Sequence, residues 1–212
     1  MNYRYFENKN YEDLASGRVI YNRSGFSNFP VRLAGEIYMN CLEVIDKLDS
    51  KAILYDPCCG SAYLLTVLGF LCGDHIDSIY ASDISIDAIA IAKENLNLLT
   101  TQALIYRKIQ LIKMFNDFKK ESHAEAIKSA DHLLEQIHSK NLSINCSVFS
   151  SDIIKEDSLS KENFKADIFC SLMSHSSIST ILLTISTTSS ITLFGTHSIN
   201  SAFLTSKSSI LA

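Results

Sequence analysis

The stretch Ile53-Leu54-Tyr55-Asp56-Pro57-Cys58-Cys59-Gly60-Ser61-Ala62-Tyr63-Leu64-Leu65 decides the fold of this chain. It reads as a short apolar strand, a tight glycine-containing turn and then apolar residues at helical spacing. The first N–H groups of a helix have no intrahelical partner and carry the positive end of its dipole. A turn that leads from a buried strand into a helix therefore favours polar or anionic ligand groups. Gly60 is the pivotal residue, because without a Cβ it lets a ligand approach the backbone and takes φ > 0 at no steric cost.

The order of residue types selects among ligands. A phosphate-binding P-loop needs Lys followed by Ser or Thr after its glycines, and a dinucleotide fingerprint needs three spaced glycines; neither is present. What remains is Asp-Pro-x-x-Gly-Ser, with Asp56 at the carboxyl end of the strand. This resembles the first motif of S-adenosylmethionine-dependent methyltransferases, in which such a carboxylate sits by the methionyl ammonium and the turn wraps the cofactor. The resemblance implies cofactor contacts from Asp56, Pro57, Cys58, Cys59, Gly60, Ser61 and Ala62. The plainer alternative is a strand-turn-helix corner whose Asp caps the helix.

Ile79-Tyr80-Ala81-Ser82-Asp83 is a second apolar strand ending in a carboxylate, and it precedes an amphipathic stretch from Ile86 to Leu99. Nucleoside-binding α/β folds place an acid roughly 20 residues beyond the glycine turn, where it accepts hydrogen bonds from ribose hydroxyls. Asp83 and its neighbour Ile84 are thus cofactor-site candidates, the alternative being that Asp83 or Ser85 is the N-cap of the next helix.

At 212 residues the chain is long enough for one domain with a real core and too short for two full ones. A hydrophobic content of 47% with 20% charged residues is ordinary for a globular protein. No stretch approaches the roughly 18 uninterrupted apolar residues of a membrane span. The start, Met1-Asn2-Tyr3-Arg4-Tyr5-Phe6, lacks the apolar segment of a signal peptide. These features imply a cytoplasmic protein with no membrane partner. The 6 cysteines form no CxxC pair and have no His at zinc-ligand spacing, so they read as reduced, half-buried small hydrophobes and no metal site is expected. A net charge of −4 speaks against a non-specific nucleic-acid coat while leaving room for a local basic face.

Residues 1–28 read as loop with a turn of helix around Tyr11 to Ser16, and Phe29-Pro30-Val31-Arg32-Leu33 opens a helix with Pro in its first turn. Arg32 is a candidate for holding a substrate phosphate or carboxylate, or else a solvated cation. Strand 52–56, helix 62–71, strand 76–82 and helix 85–99 then alternate, which predicts an α/β fold with a parallel sheet, right-handed crossovers and a ligand beyond the carboxyl ends of the strands. Residues 104–140 break the rhythm with two helical patterns, the second opened by a capping box Ser122-x-x-Glu125. Arg107, Lys108, Lys113, Lys119, Lys120 and Lys128, with His123, His132 and His138, suit RNA phosphates. Interleaved Asp117, Glu121, Glu125, Asp131 and Glu135 fit a merely solvated surface equally well. Ile144 to Phe149 reads as a third strand and Lys165 to Cys170 as a fourth. Asp152, with Ile153 beside it, lies where nucleoside-binding methyltransferases pair an acid or amide with the adenine amino group; a turn-forming Asp is the alternative.

With all these positions in view, the chain resembles the avilamycin-resistance type of ribosomal RNA methyltransferase, which modifies a guanine of 23S rRNA. The resemblance rests on Phe29-Pro30-Val31-Arg32-Leu33-Ala34, on Asp56-Pro57-Cys58-Cys59-Gly60-Ser61 running into Tyr63-Leu64-Leu65-Thr66-Val67-Leu68-Gly69, on Ala81-Ser82-Asp83, on Ala92-Lys93-Glu94-Asn95-Leu96 and on the helical insertion. It implies a Rossmann-like class I methyltransferase sheet over residues 1–170, S-adenosylmethionine as cofactor, and 23S rRNA facing Arg32 and the 104–140 hairpin. Two departures stand out. Ala62 replaces the second glycine of the family turn, and if that position needs φ > 0 its Cβ costs roughly 1–2 kcal/mol. After Ile168 the family has an Asp-Leu-Pro-Tyr-Gly-like motif that is expected to hold the target base, then three more strands. Here Phe169-Cys170-Ser171-Leu172-Met173 follows and matches none of it, so no catalytic residue is assigned. Residues 171–212 are about half Ser and Thr with no acid, which suggests a shifted reading frame after about Ile168 and a fourth strand left as an unprotected edge. The alternative is a divergent β-rich tail, since Ile178 to Ile185 and Ile191 to Phe194 have strand propensity. The sequence thus points to an rRNA guanine methyltransferase impaired by loss of the C-terminal motif. The alternatives are a non-catalytic nucleoside- or RNA-binding protein and, more weakly, a methyltransferase acting on DNA or a small molecule.

Overall fold

The computed structural model describes residues 3–22, 29–155, 164–175, 178–185 and 191–196. Helix α1 (Val31–Val44) precedes β1 (Ala52–Asp56), α2 (Tyr63–Cys72), β2 (Ile76–Asp83) and α3 (Ile86–Asn97). Helices α4 (Thr101–Phe118) and α5 (Glu121–Lys140) form the insertion before β3 (Asn145–Ser150), β4 (Ile168–His175), β5 (Ile178–Ile185) and β6 (Ile191–Thr196). The sheet order is β3-β2-β1-β4-β5-β6, parallel from β3 to β4 and antiparallel from β4 to β6. The expected parallel half is present, with α2 between β1 and β2 and α3 to α5 between β2 and β3.

The expectation of an unprotected fourth strand is corrected. β5 pairs with β4 from Ile168↔Ile185 to His175↔Ile178, so β4 lies inside the sheet and the edge passes to β6. The cause is local: Ile-Ser-Thr-Ile-Leu-Leu-Thr-Ile is β-prone, and an antiparallel partner needs only a short connection where a parallel one needs a crossover. Beyond Thr196 the Ser/Thr-rich tail lies outside the described residues. β4 also begins at Ile168 rather than Lys165. Asp167 first uses its N–H and its Oδ2 to bond the main chain of Ile53, both at 2.9 Å, and pairs with Lys47 at 2.8 Å before the ladder starts at Leu54↔Ile168.

One sheet face carries Leu54, Ile79 and Ile168 against a continuous helical layer in which α2 packs on α1 and on α3. The other face gathers Tyr55, Tyr80, Phe149, Phe164 and Phe169, with Tyr80 stacked on Phe164 at 3.9 Å between ring centroids. The N-terminal segment straps the helical layer. Glu36 on α1 is buried and accepts the N–H groups of Arg4, Tyr5 and Phe6. The ring of Phe6 occupies the place a side chain at Gly35 would take, 2.6 Å from its Cβ position. A short 3-10 turn, Glu12–Leu14, falls within the expected Tyr11 to Ser16, and Leu14 is buried with its carbonyl bonded by Tyr63 Oη at 3.0 Å.

The starts of α3 and α4 follow local chemistry, and those of α1, α2 and α5 have no side-chain cap. Ser85 Oγ and Thr100 Oγ1 cap α3 and α4 by accepting the N–H groups of Ala88 and Ala103. Pro30 is the N-cap of α1 rather than its first helical residue. The expected capping box Ser122-x-x-Glu125 does not form: the N-cap of α5 is Lys120, in extended conformation and two residues before Ser122, and Glu125 is drawn into an ion pair with Arg18 at 2.8 Å.

Candidate cofactor site

Adjacent parallel strands β1 and β2 bring Asp56 and Asp83 to the same edge of the sheet, with residues 57–62 looping between them. Successive N–H groups of that loop are tied down. Cys58 N–H donates to Asp56 Oδ1 at 2.9 Å, Cys59 N–H to the Ser82 carbonyl at 2.9 Å, and Gly60 N–H to Asp83 Oδ2 at 2.9 Å. Asp83 Oδ1 accepts Ser85 N–H at 2.9 Å. Asp83 therefore organises both the turn and the start of α3, and each of its oxygens keeps a further lone pair for a ligand hydroxyl. Asp56 does not cap α2; the residue in that place is Ala62, with no side-chain bond.

Gly60 and Ala62 both have left-handed backbone, φ 55° and 54°. The strain anticipated at Ala62 is thus present, and a Cβ in that conformation costs roughly 1–2 kcal/mol. Asn95 offsets it. Buried on α3, it donates Nδ2 to the Ser61 carbonyl at 2.9 Å and to the Tyr21 carbonyl at 3.0 Å, while Oδ1 accepts Tyr21 N–H at 2.8 Å.

Burial pushes the Asp56 carboxyl up to about 7 against the pull of the Cys58 N–H, with the nearby Asp83 charge adding to the rise. Among the described residues Asp56 has no cationic partner. A buried acid with its carboxyl raised in this way is a candidate functional group. Burial, then the two acids, also raise the thiols of Cys58 and Cys59, so neither is a ready thiolate nucleophile. Among the described residues no group of three His, Cys, Asp or Glu could hold a metal ion.

Around this turn, Ile84 is 69% exposed and Ile153 40% exposed, leaving apolar surface beside the ends of β2 and β3. Pro57 is half-buried and Ser61 buried. Ser151 N–H bonds the Asp83 carbonyl at 3.1 Å and so joins the β3 end to the site. Asp152 makes a turn, accepting Ile154 N–H at 3.3 Å and pairing with Lys155 at 3.6 Å. Arg32 is placed on the N-terminal segment, with Nε bonded to the Phe6 carbonyl at 2.8 Å and the guanidinium 3.9 Å from the Tyr3 ring centroid.

The hairpin cations divide. Arg107, expected to face RNA, is buried: Nε donates to the Val19 carbonyl at 2.9 Å, Nη1 to Gln110 at 3.1 Å, and the guanidinium covers the Tyr21 ring at 4.0 Å. It shares the inner face of α4 with Leu104 and Leu111 at helical spacing, which is why it points inward. Lys108 pairs with Asp131 and His132 with Asp13. Lys113, Lys119, Lys120, Lys128 and His138 are exposed. Sequence reasoning missed the roles of Asn95, Tyr21 and Glu36. The signal available for Asn95 was a polar residue at a helix position flanked by Ala92 and Leu96, both core.

A parallel sheet ordered β3-β2-β1-β4, with a glycine turn after β1 and acids ending β1 and β2, defines a Rossmann-like methyltransferase fold. The chain belongs to the AviRa rRNA methyltransferase family, whose model matches residues 1–174. The 23S rRNA (guanine(2535)-N(1))-methyltransferase of Streptomyces viridochromogenes is 36% identical over 148 residues, which is 70% of this chain and 59% of that relative. The chain therefore spans less than two thirds of its length. Two solved structures of the rRNA methyltransferase AviRa from the same organism each match with a TM-score of 0.73 at 32% identity, over 79% of this chain and 68% of theirs.

Proposed function

We propose that this chain is an S-adenosylmethionine-dependent methyltransferase that modifies a guanine of 23S rRNA in the cytoplasm. The observation that carries the reading is the buried Asp56 carboxyl, without a cationic partner among the described residues, at a turn whose other strand-end acid, Asp83, has acceptor capacity to spare. The relative's activity supports the substrate, and no helix among the described residues is long and apolar enough to cross a membrane.

In this proposal residues 1–170 carry the methyltransferase domain, with the helical insertion at 104–140, and 171–212 are a Ser/Thr-rich segment that does not follow the family pattern, its β5 and β6 extending the sheet. Asp56 takes the methionyl ammonium. Pro57, Cys58, Cys59, Gly60, Ser61 and Ala62 wrap the cofactor, and Asp83 accepts the ribose hydroxyls, each such bond contributing roughly 1.5–3 kcal/mol. Ile84 and Ile153 flank the adenine and Asp152 receives its amino group. Arg32 and the exposed lysines of the hairpin face RNA. S-adenosylmethionine supplies an electrophilic methyl on sulfur. The protein's task is then to hold the acceptor nitrogen in line and keep water out, an orientation effect worth roughly 7–11 kcal/mol of barrier.

The test is incubation of the chain with 23S rRNA and radiolabelled S-adenosylmethionine, followed by reverse transcription. Methylation at guanine N1 removes a Watson–Crick donor and stops the polymerase at one position, and Asp83→Ala abolishes the stop. Cofactor binding without incorporation into any RNA would reduce the protein to a binding module.

A further inference from the structure

The peptide plane between Ser61 and Ala62 is held from both sides. Its carbonyl accepts Asn95 Nδ2–H at 2.9 Å, and its N–H donates to the Cys59 carbonyl at 2.7 Å. Helix α2, which begins at Tyr63, is anchored in the core through Leu64, Leu65, Val67 and Leu68. With the plane fixed on one side and the helix on the other, φ of Ala62 has no freedom left, and 54° is the value the geometry imposes. Asn95 can do this because it is itself clamped. Its amide reads both the N–H and the carbonyl of Tyr21, as a neighbouring strand would, and the ring of Tyr21 is covered by Arg107 from α4.

We propose that Asn95 is a positioning residue of the cofactor site: it imposes the left-handed corner at Ala62 that shapes the turn, using the docked N-terminal segment at Tyr21 as its brace. The inference rests on the turn being the cofactor turn, but its structural half stands apart from that reading. The bond from Asn95 opposes the Cβ strain at Ala62, so the two positions are coupled energetically. Glycine at 62 carries no such strain and makes the bond dispensable.

The experiment uses the full chain as wild type, Asn95→Ala, Ala62→Gly and the double variant. Amide hydrogen exchange is followed in residues 57–66 and, as the reference, in 76–83, alongside calorimetric titration with S-adenosylmethionine. The expected result for Asn95→Ala is exchange at least tenfold faster in 57–66 with 76–83 unchanged, and a Kd raised about tenfold; adding Ala62→Gly recovers most of both. If Asn95→Ala does not fold, Asn95→Leu, which keeps the volume, takes its place. Unchanged exchange in 57–66, equal acceleration in both segments, or no recovery on adding Ala62→Gly overturns the proposal. The expected exchange pattern with no cofactor binding in any variant upholds the positioning role and overturns the cofactor reading instead.

Discussion

Residues 56–62 and residues 101–140 both handle charge, in opposite ways. At the turn, the Cys58, Cys59 and Gly60 N–H groups and the Ser61 carbonyl are bonded within the protein, and Asp56 is buried with no cationic partner among the described residues. In the hairpin, Arg107 is turned inward as a structural cation, whereas Lys113, Lys119, Lys120 and Lys128 stand in solvent. Binding a small ligand in a defined pose requires groups whose positions are settled before it arrives. Attraction of a long polyanion requires only accessible charge, and long mobile side chains suffice.

The contrast predicts effects of descending size. Asp83→Ala removes the acceptor for both Gly60 and Ser85 and, in the proposed function, for ribose, and should weaken S-adenosylmethionine binding by at least about a hundredfold in calorimetry, consistent with two lost charge-assisted bonds. Retained affinity would show that the turn does not need its organising acid. Arg107→Ala should lower stability by about 2 kcal/mol in urea unfolding, because it leaves the buried Val19 carbonyl unpaired and strips the cover from Tyr21. A neutral result would move Arg107 back to the surface class.

The third effect depends on pH. The Asp56 carboxyl is raised from 3.8 to about 7. Between those values the folded chain holds a proton that the unfolded chain has released, so stability falls as pH rises through that window. In the proposed function the cofactor ammonium pairs with the ionised form, so affinity should rise with pH, by about tenfold from pH 6 to pH 8. Asp56→Asn should flatten that profile. Smallest, Lys119→Ala with Lys120→Ala should leave melting and cofactor affinity unchanged while weakening rRNA binding severalfold and shrinking its salt slope, as two lost phosphate contacts demand. Equal loss at low and high salt would mean that the hairpin tip meets no phosphate.

The parallel half of the sheet was legible because its period is carried by neighbours: apolar runs, a glycine turn and strand-end acids lie within a few residues of one another. The antiparallel half was legible only as β propensity. Whether Ile178 to Ile185 would join β4 or leave it exposed depends on an edge assembled from residues more than a hundred positions earlier. The capping box failed for a similar reason, since Arg18, distant in sequence, draws Glu125 away from the helix start.

Within the site, Asp56, Gly60 and Asp83 announce themselves by type and spacing, because only certain residues can end a buried strand in charge or turn a chain at positive φ. What tertiary structure alone decided was the environment of each group. It buried Asp56 and raised its carboxyl, sent Arg107 inward to Val19, and set Asn95 between Tyr21 and Ser61. Local pattern determines what a side chain is able to do. Desolvation and hydrogen-bond partners, which come from chain segments far apart in sequence, determine what it does.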